Sequence, residues 1–274
     1  MEIIIVLLLL TVYYASQPIY DIVRIYSRSF PAMDNVISRC LNEHPYYSKL
    51  SPQGKASFVR SVRKLSLTLE FEEKMGMFLI DSRKYKICAA IVQICYGFEK
   101  RVIPKFDTIM VFPAPFFNPR YGQPMKGFAS LTGKLALSWA DFEMGYSDQS
   151  DNYNLGLHEL AHALHINSKF DETDSHFNRH FVHWEKNSRK DFEDLQEGKN
   201  DYFREYGATN MHEFFAVCIE HFFETPQKFN AILPDLYFRT CILMNQNPLN
   251  EHGDYAFDLN DFPELKYKVR WIPT

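Results

Sequence analysis

No two of the five cysteines (Cys40, Cys88, Cys95, Cys218 and Cys241) are spaced as CxxC, and their number is odd. A fully paired disulfide framework is therefore excluded, and free thiols in a reducing compartment fit better. A basic block is also missing. The 30 Lys and Arg residues are outnumbered by 34 Asp and Glu, and the net charge of −4 is spread along the chain. No nucleic-acid partner is expected, because one would require a concentrated Lys/Arg face. Internal repeats, low-complexity tracts and Pro/Gly/Ser-rich linkers are absent as well, which argues against a string of small domains. What is plentiful is apolar material, 46% of the residues, enough for a sizeable core.

The N-terminus stands apart. Ile3 to Ala15 is almost purely apolar, and counted through Tyr20 the run reaches the roughly 20 residues that span a bilayer. Arg24 and Arg28 follow it, while only Glu2 and the α-amino group precede it. The positive-inside rule then places the rest of the chain in the cytoplasm. Residues 1–28 are expected to be an apolar helix anchored in a membrane, and residues 29–274 a single folded domain. A cleaved signal peptide fits less well. The start is not basic, and neither Ala15 nor Ser16 has a small residue two positions earlier.

Periodicity predicts the elements. From Pro52 to Met77, Phe58, Val62, Leu65 and Leu69 recur at helical spacing with charges opposite. Tyr85 to Phe98 is apolar nearly all round and belongs in the centre of a core. Asp107 to Phe112 reads as a buried strand, and Pro113 to Pro124 as an aromatic-rich loop. Phe128 to Trp139 alternates around Thr132-Gly133 as a β-hairpin. Four helices are expected after that, over Asn152–Asn167, Ser175–Glu197, Met211–Glu224 and Gln227–Asn245. The tail beyond Pro248 gives little signal. The fold class is α+β, a small central sheet surrounded by helices.

Residues 157–164 read LHELAHAL, an HExxH motif made of His158, Glu159 and His162. On a helix, positions i and i+4 lie one above the other, so both imidazoles can reach a single Zn²⁺. Glu159 stays close enough to face a water on that ion and act as general base. The motif sits among Leu155, Leu157, Leu160, Ala161, Ala163 and Leu164. Polar groups in such a helix are costly to bury unless paired or coordinated. A catalytic zinc site normally needs a third protein ligand. His165 lies about 10 Å of helix rise beyond His158, out of reach. The apolar helix MHEFFAVCIEHFFE offers Glu213 and Glu220, and either carboxylate can face the ion; Glu220 can also serve as a hydrogen-bond partner to a ligating histidine. His176, His180 and His183 share their helix with charged residues and read as a solvated face. Cys88 and Cys95 read as small core residues.

The segments LHELAHALH and YGATNMHEFFAVCIEHFFETP resemble the two signature regions of the Mlc titration factor A family of zinc peptidases, and more distantly the catalytic domain of anthrax lethal factor. The likeness runs from about Leu50 to Leu243. It implies a zincin-like domain of the gluzincin type, with zinc on His158, His162 and Glu213, Glu159 as base, and the phenol of Tyr206 on the oxyanion. One departure is visible: family members commonly carry Asp after HExxHxL, where this chain has His165. The resemblance implies a peptide or protein substrate. The alternative it raises is an anti-repressor-like protein that binds and sequesters a transcriptional regulator, with zinc structural or vestigial. An intact Glu159 favours the enzyme, since binding alone needs no base. A non-peptidase zinc hydrolase is a third reading. Lys134 to Trp139, just before the HExxH helix, is expected to border the cleft and pair with extended substrate.

Overall fold

A computed structural model describes residues 30–119, 122–170 and 175–264. The expected apolar N-terminal helix lies outside the described residues. Helix α1 (Phe30–Cys40) and the one-turn α2 (Pro45–Ser48) lead into α3 (Pro52–Thr68). The Ser51 hydroxyl accepts from the Gly54 amide and Pro52 opens the first turn of α3, both ordinary helix-start chemistry. Phe58, Val62 and Leu65 are buried at one-turn intervals, as the spacing required. The helix does not continue to Met77, however. It stops at Thr68, and Glu70–Glu73 forms strand β1. This acidic strand occupies a sheet edge, where Glu72 is held by Lys134 and Lys74, and Glu73 accepts from the Leu79 amide at 2.8 Å. Charged residues suit an edge strand.

Helix α4 (Asp81–Ile94) crosses back and is buried from Ile87 to Ile94. Strand β2 (Thr108–Phe112) follows where an apolar strand was expected. The stretch expected as a loop contains a two-stranded hairpin, β3 (Phe116–Asn118) with β4 (Gln123–Met125), anchored by Phe116 stacked on Phe112 at 3.7 Å. Then come β5 (Gly127–Ala129) and β6 (Lys134–Ser138), antiparallel around the Thr132-Gly133 turn. Gly133 has φ +87°, and a side chain there would meet the Lys105 carbonyl, so the turn requires glycine. The main sheet has the order β1-β2-β6-β5, with the first three strands parallel. Strand β6 is thus paired on both sides, with β2 and with β5. It has no free edge for a substrate, which overturns that expectation for Lys134 to Trp139.

Helices fill the second half: α5 (Trp139–Ser147), α6 (Leu155–Ser168), α7 (Ser175–Asn187), α8 (Arg189–Gln196), a 3₁₀ turn (Glu205–Ala208), α9 (Met211–Glu224), α10 (Pro226–Ile232) and α11 (Pro234–Met244). The expected helix over Ser175–Glu197 is broken at Ser188. The break brings Trp184 and Phe192 onto the same ring, Phe214, at 6.2 and 5.6 Å. The expected helix over Gln227–Asn245 is broken by Pro234, which has no N–H to donate and forces Leu233 out of helical geometry (ψ 63°). The solvated face expected for the α7 histidines is also corrected. His180 is buried, and His176 Nε2 lies 2.7 Å from the Ile242 carbonyl. Cys88 and Cys95 are core residues, as expected. Helix α6 packs against α4, α9 and β5, and so lies between the sheet and the helical half.

Candidate metal centre

Helix α6 starts where the Asn154 side chain accepts from the Leu157 amide at 3.0 Å. One turn on, His158 and His162 project from the same face, both 8% exposed, with their Nε2 atoms 3.1 Å apart. Helix α9 starts at Asn210, whose side chain accepts from the amides of His212 and Glu213. That cap fixes Glu213 in the first turn, facing α6. Its Oε2 lies 3.1 Å from His158 Nε2 and 3.2 Å from His162 Nε2. The three atoms form a nearly equilateral triangle. Tetrahedral zinc with bonds of about 2.0–2.1 Å needs ligand atoms roughly 3.3 Å apart, so two nitrogens and one carboxylate oxygen fit such an ion. Among the described residues this is the one group of three or more His, Cys, Asp or Glu side chains close enough to hold a metal.

Electrostatics point the same way. Burial opposes charge on His158, but its bonds to the Glu213 and Glu220 carboxylates outweigh that and raise its pKa to about 10. Burial also works against charge on Glu213, yet the two histidines hold it well below the usual carboxylate range. This is a place that attracts a cation. Glu159 is 6% exposed, and its Oε2 has no hydrogen-bond partner among the described residues. Burial raises its pKa, partly offset by His162 and His158. It faces β5, where Gly127 leaves room for it: a Cβ at that position would lie 2.7 Å from Glu159 Cγ.

Tyr206 stands on the 3₁₀ turn before α9, half exposed, with its ring 5.8 Å from that of His158. Burial, then the nearby Glu213 and Glu159 carboxylates, raise its phenol to about 12, so it is a neutral O–H donor. His158, Glu159 and Tyr206 line a cleft of about 830 Å³, bordered by Met125, Gly127, Met144 and Tyr153. His162 and Glu213 join them through the donor triangle, so all five residues singled out from the sequence come together. His165 does not join them; its Nδ1 faces His212 Nδ1 at 2.5 Å. Glu220 takes the other role expected for it: it is 1% exposed and its Oε2 lies 3.3 Å from His158 Nδ1. Sequence reasoning missed Gly127, Asn154 and Arg204. Only Asn154 left a signal, as a capping residue just before the apolar run.

Two histidines and a glutamate around a cation-sized gap, beside a buried carboxylate in an open cleft, are the donor set of a metal-dependent hydrolase. The family model described as glucose-regulated metallo-peptidase M90 matches residues 23–240, and the chain belongs to that family. An uncharacterized protein of Synechocystis sp. (strain ATCC 27184 / PCC 6803 / Kazusa) is 24% identical over 212 residues, covering 70% of this chain and 77% of its own. Mlc titration factor A of Escherichia fergusonii is 29% identical over 166 residues, 53% of this chain and 61% of that protein. The protein of the same name from Enterobacter sp. (strain 638) is 27% identical over 182 residues, 58% and 67% of the two chains. The matched part thus spans about two thirds of the Mlc titration factor A proteins.

Proposed function

We propose that the chain is a zinc-dependent peptidase, with His158, His162 and Glu213 as metal ligands and Glu159 as general base. The observation that carries this reading is the buried Glu159 carboxylate, whose Oε2 has no hydrogen-bond partner among the described residues, beside the donor triangle. Zinc, when bound, lowers the pKa of water and polarises a carbonyl. Glu159 takes a proton from the attacking water as the new C–O bond forms. It then gives that proton to the amine nitrogen as the C–N bond breaks. The Tyr206 hydroxyl donates to the developing oxyanion. Strand β5, unpaired on its outer side among the described residues, offers main-chain donors and acceptors to an extended peptide.

The test is metal analysis combined with peptide-library cleavage, wild type against Glu159→Gln. The variant should keep one zinc per chain and lose activity by roughly 10²–10⁴. Full activity in the variant would overturn the proposal. The name Mlc titration factor A supports a second reading, binding of a protein regulator. In that case Glu159→Gln would leave regulator binding unchanged, and the wild type would cleave nothing.

A further inference from the structure

Glu220 is 1% exposed, on α9 seven residues beyond Glu213. Its Oε1 accepts from the Asn154 amide at 3.0 Å. Its Oε2 is shared between His158 Nδ1 at 3.3 Å and Arg204 Nη2 at 2.5 Å. The other arm of the same guanidinium, Nη1, donates to the Asn152 carbonyl at 2.6 Å. The guanidinium also lies over the Tyr153 ring, 4.5 Å from its centroid. Tyr153 lines the cleft.

We infer that Arg204 is a positioning residue for the metal centre: it holds Glu220 as an acceptor for His158 Nδ1 and ties that bond to the cleft wall through Asn152 and Tyr153. The inference rests on the metal-site reading above. What Arg204 controls is the place of the Glu220 side chain. An oxygen held behind the ring can accept from Nδ1–H, which orients the imidazole so that Nε2 faces the metal position. If that hold is lost, the ring loses the acceptor behind it, because the position of Oε2 depends on the partners of the Glu220 carboxylate. Among the described residues Arg204 is the one Lys or Arg within ion-pair distance of it.

The planar fork matters as much as the charge. Its two arms hold Glu220 and the Asn152 carbonyl at once in one fixed plane, a spacing that a single ammonium nitrogen does not preset. Asn152 is in the left-handed region, φ +59°, and its side chain accepts from Thr225 at 2.7 Å. That bend sets the segment carrying Tyr153 and Asn154, which lines the cleft and caps α6. A shift in Arg204 therefore reaches both the metal ligand and the substrate wall.

The experiment measures zinc affinity of the full chain by competition with a chromophoric chelator, well below the melting temperature, alongside kcat, KM and Tm. Arg204→Ala should weaken zinc by about 10–100-fold, the usual scale for losing support behind a ligating histidine. Arg204→Lys should recover part of the loss. Glu220→Gln should weaken zinc on its own. Arg204→Ala combined with Glu220→Gln should lose no more than Glu220→Gln alone, because Arg204 reaches His158 only through the Glu220 side chain. Wild-type zinc affinity in Arg204→Ala, with only Tm lowered, would overturn the inference and leave Arg204 a loop staple. Fully additive losses in the double variant would overturn it too. Failure of the wild type to bind zinc at all would instead sink the metal-site reading itself.

Discussion

Gly127→Ala adds one methyl group on β5, and the structure says where that methyl must go. Its Cβ would lie 2.7 Å from Glu159 Cγ, 2.8 Å from Oε1 and 2.9 Å from Cδ. Carbon atoms rest roughly 3.5–4.0 Å apart, so something must retreat by about 1 Å. The strand is poorly placed to do so: Gly127 is paired with Leu137, and the neighbouring Lys126 carbonyl accepts from the Ser138 amide at 2.7 Å. The Glu159 side chain is the softer partner and should give way. Misplacing a catalytic group by 1 Å costs on the order of 10²-fold in rate, while overpacking costs about 1–3 kcal/mol of stability. Gly127→Ala should therefore fold, keep its zinc, melt somewhat earlier and lose about 10²-fold in kcat/KM. Peptide cleavage, metal analysis and a melting curve measure the three quantities. Repeating the substitution in a Glu159→Asp background isolates the clash, because the shorter side chain leaves room and the added cost of the methyl should shrink. A Gly127→Ala variant within about threefold of wild-type kcat/KM, zinc intact, would refute the placement of Glu159 against β5.

Tyr206→Phe should keep fold and zinc but lower kcat by roughly 10²–10³, the scale of losing one oxyanion donor, as measured by steady-state kinetics. Glu213→Ala should abolish cleavage and sharply weaken zinc in a chelator competition; stoichiometric zinc at near wild-type affinity would remove that ligand. Glu224 is raised to about 8 by burial, far above an ordinary Glu near 4.5. Folding therefore takes up a proton between those values, and stability falls as pH rises through that window. Glu224→Gln, which can still accept from Asn154, should melt later than wild type at pH 8 and equally at pH 4. Among the described residues no helix is long and apolar enough to cross a membrane, so the proposed anchor rests on residues 1–28. Deleting them should release a soluble, active domain of residues 29–274, and detergent-free solubility of the full chain would remove the anchor.

The parts of the site that follow from local spacing were legible in the sequence. His158, Glu159 and His162 share a helix, and a single turn of helix is enough to bring both imidazoles together. Glu213 was readable only with the family resemblance, because MHEFFAVCIEHFFE carries two carboxylates and spacing alone does not choose between them. Packing chooses: Asn210 caps the helix so that Glu213 meets both Nε2 atoms, and Glu220 meets His158 Nδ1 from behind. Strand β1 was hidden for a different reason. The residues EFEE have no apolar alternation, and their extended state comes from pairing with Thr108–Val111, a partner 38 residues away in the register Glu70↔Thr108. The break at Pro234 was in plain view, since a proline inside an apolar period ends a helix. The break at Ser188 left no such mark.

The cleft border shows how one misplaced edge changes a functional argument. In the sequence, KLALSW looked suited to hold substrate because it lies just before the HExxH helix. Yet residues 135–138 are all buried, a continuous run that belongs to a strand with neighbours on both sides. The three residues Gly127–Ala129, too short to stand out, take the edge instead. The glycine that opens this strand is what the position demands. The edge strand also passes close to Glu159, the proposed general base, and only glycine at 127 lets that side chain sit against the backbone. The same geometry explains why Glu159 can stay buried and still face the cleft: β5 packs against its side chain, and both border the cleft that His158 and Tyr206 line.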